Sequence, residues 1–181
     1  RVWELQTFTK CRFVYGNIEL FNSFFTYYIQ TVKQKDKELI KKEMYEMRKK
    51  LYPGLDTSFN IKKSSGGLAD IDFIVSFLFL KNPDLLVERK EKGTWNSFEL
   101  IKKTSIKEIN IDQLEINYYS LKQIELTNQL LFNSRISKVS TEELKLKKLS
   151  KQCGFSNTKL FMNRLNEIIE QTRKQYQNIF N

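Results

Sequence analysis

The sequence predicts an all-α fold, a helical bundle built as a single domain over residues 1–181, and three observations carry that prediction. Six glycines and two prolines leave few breaks for the many tight turns of an all-β chain. Apolar residues recur by three and four in every long segment, the spacing of a buried helix face. A chain of 181 residues is long enough for one core and short for two. Hydrophobic residues at 40% and charged residues at 29% give the balance of a globular protein, and fourteen Phe with eight Tyr predict an aromatic-rich core.

Taken in order, residues 2–15 read as a first helix ended by Gly16-Asn17. A second runs from about residue 17 into a polar zone at 33–37, then continues or restarts to residue 52, where Pro53-Gly54 stops it. These helices are expected to form an antiparallel hairpin. A loop over 53–65 leads to Gly66-Gly67, and a central helix occupies 68–81. With Phe, Ile, Val and Leu around most of its circumference, it should be the most buried element. Asn82-Pro83 ends it, a looser basic region follows to residue 93, and helices are predicted over 96–103 and 112–133. Ser140-x-x-Glu143 reads as a capping box for a helix ending before Gly154. Phe161, Leu165, Ile168, Ile169, Thr172, Tyr176, Ile179 and Phe180 mark the packing stripe of a last helix.

Composition also narrows function. The chain has no His, and Cys11 and Cys153 have no metal-ligand spacing, so structural zinc and histidine-based catalysis are not expected and both thiols are read as reduced and packed. The apolar run at 73–80 is too short to cross a bilayer and the N-terminus lacks a signal-peptide layout; a cytoplasmic protein with no membrane partner is expected. Lys and Arg outnumber Asp and Glu by 31 to 21, and the net charge of +10 favours anionic partners without choosing among them. Lysines over 33–50 alternate with acidic residues, the pattern of a solvated helix face.

The most informative stretch is 61–75, where Lys62-Lys63 and Gly66-Gly67 run into Asp70-Ile71-Asp72-Phe73. Read as a strand, it places Asp70 and Asp72 on one face as a metal-binding pair. Read as a helix, it sets them about 200° apart, too far to share an ion. Only Leu68 and Ala69 separate the glycines from the aspartates, too short a spacing for a phosphate-gripping turn ahead of a metal-binding strand, so the helix is preferred. Gly67 then becomes the N-cap and Asp70 a first-turn carboxylate favoured by the helix dipole. Lys62, Gly66 and Gly67 either hold a phosphate at that helix start or belong to a solvated loop. Asp72, amid apolar neighbours and one turn from Ser76, must be paired, hydrogen-bonded or open to a cleft. Glu4, Phe8 and Arg12 recur at four-residue steps, and Lys122 and Glu125 border another apolar stripe. Inter-helix ion pairs, Arg12 with Glu125 or Glu4 with Lys122, are the structural reading of these charges. Trp3 and Trp95 are read as packing residues.

The stretch from Lys62 through Gly66, Gly67, Asp70 and Ile71 to Phe73 resembles the Lys-x-x-x-Gly-Gly-x-x-Asp-Ile-Glu-Phe motif of glutamine synthetase adenylyltransferases, with Asp72 in place of Glu. Its first part is also similar to the Lys…Gly-Gly-Leu-x-Asp motif of PII uridylyltransferases. Trp3-Glu4-x-Gln6 with Arg12 and Gly16, Met47-Arg48, and Tyr118-x-x-Leu121-Lys122-x-Ile124-Glu125 resemble further blocks of the adenylyltransferase family, in family order. Gly154-Phe155 before a long terminal helix fits its end. Lys122 stands where the family has Arg, Leu126 where it has His, and Ser64 where it often has Gly.

This resemblance implies the helical domain that follows a catalytic nucleotidyltransferase head. The head would lie before Arg1, and the chain, which opens inside a motif, is read as a fragment or excised domain. In the intact enzyme the resemblance implies ATP and Mg²⁺ as cofactors, held with an acidic pair of the head, and AMP transfer to or from a tyrosine of glutamine synthetase in nitrogen regulation, with a PII-type regulator as a further partner. The helical domain would close the nucleotide cleft and help recognise the protein substrate. The nucleotide-contacting candidates are Lys62, Gly66, Gly67, Asp70 and Asp72; no catalytic residue, metal ligand or cofactor is assigned to this chain, which alone should be inactive. A uridylyltransferase-like domain is the alternative within enzymes. A basic helical module for protein or nucleic acid is the alternative outside them, although no helix-turn-helix or stacking platform supports nucleic acid.

Overall fold

The computed structural model of the chain describes residues 1–51, 58–89, 97–104, 106, 108–133, 135 and 137–181. Their helices are α1 (Val2–Phe8), α2 (Ile18–Gln34), α3 (Lys37–Leu51), α4 (Leu68–Lys81), α5 (Asp84–Arg89), α6 (Ser97–Lys102), α7 (Ile111–Phe132), α8 (Glu143–Gln152) and α9 (Thr158–Phe180). Among the described residues there is no strand, only a single antiparallel bridge between Asn60 and Lys138. The expected loop at 53–57, Gly93 and Trp95 lie outside the described residues.

The bundle is organised around α4, as its all-round apolar sequence requires. Ile71, Ile74, Phe79 and Leu80 are fully buried, and the helix packs against α1, α3, α5, α6, α7 and α9. The predicted stripe of α9 is buried along its length, and its start is capped by Asn157, whose Oδ1 accepts from the Leu160 N–H at 2.9 Å. Asn17 and Asn110 cap α2 and α7 in the same way. The long α7 ends at Asn133, whose φ of 43° is the left-handed cap geometry that asparagine tolerates. Inside the core, Asn117 Nδ2 donates to Thr172 Oγ1 at 3.2 Å, joining α7 to α9 through a satisfied polar pair.

Several local expectations are corrected. The first helix stops at Phe8 rather than Tyr15, because the Thr7 and Thr9 hydroxyls bond back to the Trp3 and Gln6 carbonyls and Thr9 is buried against Ser76 of α4. Trp3 consequently sits on the outer side of α1, half-exposed, while Val2 and Leu5 face the core. The region after Pro83 forms the short α5 rather than a loop. α2 and α3 do restart at 35–36 but are not a closely packed hairpin; α3 lies on α4 and α1, and α2 reaches α5 and, through Tyr28 Oη on the Leu5 carbonyl, α1. The Ser140 capping box does not form. Its hydroxyl accepts from the N–H of Glu142 two residues on, and α8 begins at Glu143 with Glu142 as N-cap.

Gly66 shows how tightly the loop before α4 is set. Its φ is +81°, and a Cβ there would collide with the Ile169 carbonyl oxygen and lie 2.7 Å from Ile169 Cγ2. At Gly154, φ is +86° but the added methyl meets open space. Gly154→Ala is therefore expected to cost about 1–2 kcal/mol from left-handed backbone alone, and Gly66→Ala at least about 3 kcal/mol from strain plus overpacking. Urea unfolding of the two variants checks this; equal losses would show that the contact with α9 yields.

Candidate functional site

The site is built upward from a buried charge pair. On α3, Ile40, Met44 and Arg48 recur every four residues, so Arg48 is carried on the core-facing side. Its Nε donates to Asp70 Oδ1 at 2.6 Å, and its Nη2 donates to the carbonyls of Lys63 at 2.8 Å and Ser64 at 3.2 Å. Asp70 Oδ2 accepts from the Gly66 N–H at 2.6 Å. The two side chains are 7% and 3% exposed, so the pair is effectively dry. Burial pushes the Asp70 carboxyl up from its usual value, opposed by the charge of Arg48 and the hydrogen bond from Gly66.

The loop ahead of α4 is fixed by its own polar groups. Asn60 Oδ1 accepts from the N–H groups of Lys62 and Lys63 at 3.0 and 2.9 Å, and Ser64 Oγ accepts from Asn60 N–H at 2.8 Å. Ile61 N–H donates to the Ser137 carbonyl and Val139 N–H to the Phe59 carbonyl, tying this loop to the segment after α7. The backbone of the two lysines is thereby held while their side chains remain exposed.

In front of the clamp lies a cleft of about 540 Å³ between α1, α3, α4 and α7. Met47, Leu51, Leu68, Ala69 and Phe73 give it apolar walls. Lys10, Lys62, Lys63 and Lys122 line its polar side, with Gln6, Asp72 and Tyr118 beside them. Asp72 Oδ2 sits 3.1 Å from Lys10 Nζ, both about half-exposed. Lys122 Nζ donates to Glu125 Oε2 at 2.9 Å, and Ser137 Oγ donates to Glu125 Oε1 at 2.8 Å. Burial pushes the Glu125 carboxyl up, but the bonds from Lys122 and Ser137 and the charges of Lys122 and Lys62 outweigh it, and the group lies below its ordinary value. Burial likewise pulls Lys122 down, and its bond to Glu125 more than restores it.

These positions can be set against the sequence-based candidates. Lys62 and Asp72 reach the cleft; Gly66, Gly67 and Asp70 are buried beneath it. The free helix-start N–H groups expected to meet a phosphate are engaged within the fold: Gly66 on Asp70, Gly67 on Ser64, Leu68 on Ile61 and Ala69 on Lys62. The expected inter-helix ion pairs are also replaced. Glu4 lies beside the main-chain nitrogen of Arg1 three residues before it, Lys122 pairs with Glu125 within α7, and Arg12 is exposed on the loop after α1 with no ion pair among the described residues. Asp70 and Asp72 are separately engaged, Asp70 by Arg48 and the Gly66 N–H and Asp72 by Lys10, and no three His, Cys, Asp or Glu side chains converge among the described residues. Sequence reasoning missed Arg48, although its four-residue spacing from Ile40 and Met44 was a signal. Lys10 lies just past the end of α1, within the span the sequence reads as helix, and Lys63 stands in the sequence only as the neighbour of Lys62.

Fold and cleft define the class first: an all-α domain whose central helix starts at a lysine-rimmed, apolar-walled cleft. The family profile described as GlnD PII-uridylyltransferase matches residues 34–180, and the chain belongs to that family. It is also similar to curated enzymes named bifunctional glutamine synthetase adenylyltransferase/adenylyl-removing enzyme. Identity is 36% over 85 residues with that of Shewanella frigidimarina, covering 44% of this chain and 9% of that enzyme. It is 36% over 99 residues with that of Shewanella oneidensis, 52% of this chain and 10% of the enzyme. The Mannheimia succiniciproducens enzyme is 37% identical over 94 residues, 46% of this chain and 9% of that enzyme. The chain thus matches about a tenth of the length of these relatives. No helix among the described residues is long and apolar enough to cross a membrane.

Two outcomes follow from this geometry. Asp70→Asn removes one member of a buried pair and should cost about 3–5 kcal/mol, whereas Asp72→Ala breaks an exposed pair and should cost about 0–1 kcal/mol. Thermal and urea unfolding separate them, and a small loss at Asp70 would refute the clamp. Because Glu125 is depressed in the fold, its ionised form stabilises above the unfolded value, roughly 4.3, and that contribution is lost as pH falls through the lower folded value. Stability of Glu125→Gln should therefore fall less steeply than that of the parent below about pH 4. Parallel acid limbs would mean that Glu125 contributes nothing to acid sensitivity.

Proposed function

We propose that this chain is the helical domain of a glutamine synthetase adenylyltransferase-like nucleotidyltransferase. It works beside a catalytic head, closing the nucleotide cleft and helping to recognise the protein substrate. The observation that carries this reading is convergence: residues from separate motif blocks, Gln6, Met47-Arg48, Lys62 with Phe73, and Tyr118 with Lys122, meet around one cleft. An apolar-walled cleft with a few converging polar groups is the usual form of a ligand site, which supports reading this one as the working face. In this reading ATP and Mg²⁺ belong to the head, where AMP is transferred to or from a tyrosine of glutamine synthetase in the cytoplasm as part of nitrogen regulation. The present chain catalyses nothing alone. Its lysines contribute positive potential that draws and orients an anionic substrate.

A second reading is favoured by one specific observation. The profile matching residues 34–180 is described by PII uridylyltransferase, which would make UTP the donor and a PII-type protein the target. One experiment addresses both. In the longer protein that carries a head, Lys62→Ala combined with Lys122→Ala should slow transfer of label from ATP to glutamine synthetase, by about 1.5–3 kcal/mol for each lost charged hydrogen bond, with the helical circular dichroism unchanged. Transfer from UTP to a PII-type protein would select the second reading, and rates indifferent to both lysines would remove the cleft from function.

A further inference from the structure

We infer that the outer face of α8, with the first turn of α9, adsorbs reversibly to an anionic lipid surface. The inference stands apart from the cleft and from any transfer reaction. Residues 144–166 carry five lysines and one arginine with no acidic residue, whereas the lysines over 33–50 alternate with acids. The chain's positive excess is concentrated here.

The fold gathers that charge on one side of a helix. Leu144, Lys147, Lys148 and Lys151 follow one another at three- and four-residue steps, the spacing of a single helix face. All four are exposed, while Leu149 and Ser150 on the other side are buried. From Lys147 to Lys151 is about 6 Å of helix axis, so at ordinary ionic strength the three ammonium groups act as one cluster. Lys145 is answered by Glu142 and Arg164 by Glu167, but Lys147, Lys148, Lys151 and Lys159 make no ion pair among the described residues. Like charges three and four apart on a helix repel, and an anionic surface relieves that repulsion.

Leucines decide which anion fits. Leu144 is 68% exposed within the basic stripe, and Leu160, beside Lys159 in the first turn of α9, is 50% exposed. α8 runs back along the end of α7, where Thr127 bonds Cys153 and Phe132 shares a cavity lining with Lys145, and those turns of α7 expose Leu126 and Leu130. A phosphodiester backbone offers leucine nothing, and residues 143–160 present no exposed aromatic ring on which bases could stack. At a lipid surface both residue types have a place, ammonium groups among the headgroups and leucine methyls at the acyl boundary. The expectation of no membrane partner rested on the lack of a spanning segment and of a signal-peptide layout; adsorption needs neither.

The test is flotation of the 181-residue chain with vesicles of phosphatidylcholine and of an equal mixture of phosphatidylcholine and phosphatidylglycerol. Binding to the mixture alone is expected, and it should be lost between about 0.1 M and about 1 M salt. Lys147→Ala, Lys148→Ala and Lys151→Ala together should weaken adsorption about a hundredfold, roughly fivefold for each lysine, with helical circular dichroism unchanged. Arginine substitutions at the same three positions should preserve it. Lys35→Ala, Lys42→Ala and Lys50→Ala remove the same net charge from exposed positions elsewhere and should have only a slight effect. Leu144→Ala with Leu160→Ala should weaken adsorption severalfold. No binding to the mixed vesicles at low salt would overturn the inference, as would equal losses from the two lysine triples or an unaffected leucine variant. Displacement from the vesicles by a duplex RNA, held equally well by the leucine variant, would give the face to nucleic acid instead.

Discussion

Arg48 and Asp70 tie α3 to the start of α4, and most of the surrounding geometry is a consequence of burying that pair. Removing two charges from water costs several kcal/mol per ion, which is recovered only when the remaining donors and acceptors are satisfied. Here they are. Asp70 accepts from Arg48 on one oxygen and from Gly66 on the other, while Arg48 also donates to two carbonyls of the preceding loop. For the Gly66 N–H to reach Asp70, the chain must turn through a left-handed conformation directly against Ile169 of α9, which no side chain permits. The glycine is thus required by the carboxylate, and the carboxylate by the arginine. A stretch that looks like a phosphate loop in one dimension is, in three, the socket of a salt bridge.

That socket has an outer surface, and its chemistry comes from which lysines are left over. Lys10 and Lys122 are partly neutralised by Asp72 and Glu125, and the second of these acids is buried at the foot of α7 with Ser137 as a further donor. Lys62 and Lys63 are not neutralised by any described ion pair, yet their main chain is as firmly held as the clamp itself. Exposed charges more than about 10 Å away are largely screened at 0.1 M salt, so the chain's general basicity contributes little inside the cleft. What matters there is the fixed local cluster and the low-dielectric wall facing it.

Much of the fold was legible because it is periodic. α9 carries a three-and-four apolar stripe that only a helix satisfies, whereas for α4 the spacing of the glycine pair from the aspartates decides for helix over strand, with Gly67 and Pro83 bracketing it. The misread elements share a cause: short polar side chains that choose between helix and local hydrogen bonds according to tertiary surroundings. Thr9 ends α1 because burial against α4 gives its hydroxyl a better place than another helical turn, and Ser140 spends its oxygen on a two-residue turn rather than a cap. The site was half legible for a related reason. A lysine beside glycines is visible in sequence; which of two aspartates faces a buried arginine twenty-two residues earlier is not, until α3 and α4 are packed. The register of Ile40, Met44 and Arg48 was the one local sign of it.

The departures from the adenylyltransferase motifs can now be weighed by where they fall. Ser64, where glycine is common, is buried and uses its hydroxyl to accept from Asn60, so it stiffens the loop rather than disturbing it. Asp72, one methylene shorter than glutamate, stays on the cleft wall and reaches Lys10. Lys122 offers a single ammonium where arginine would present a planar fork, and one bond to Glu125 leaves its other donors directed to the cleft or to water. Leu126 is half-exposed on α7 and forms no part of the cleft lining. None of these changes replaces Arg48, Asp70 or either glycine, and Ser64 meets Arg48 Nη2 and the Gly67 N–H through its main-chain carbonyl. Those at Asp72 and Lys122 alter the cleft surface and leave the buried Arg48–Asp70 clamp in place, so divergence at these positions bears on the chemistry of the cleft rather than on whether the domain folds.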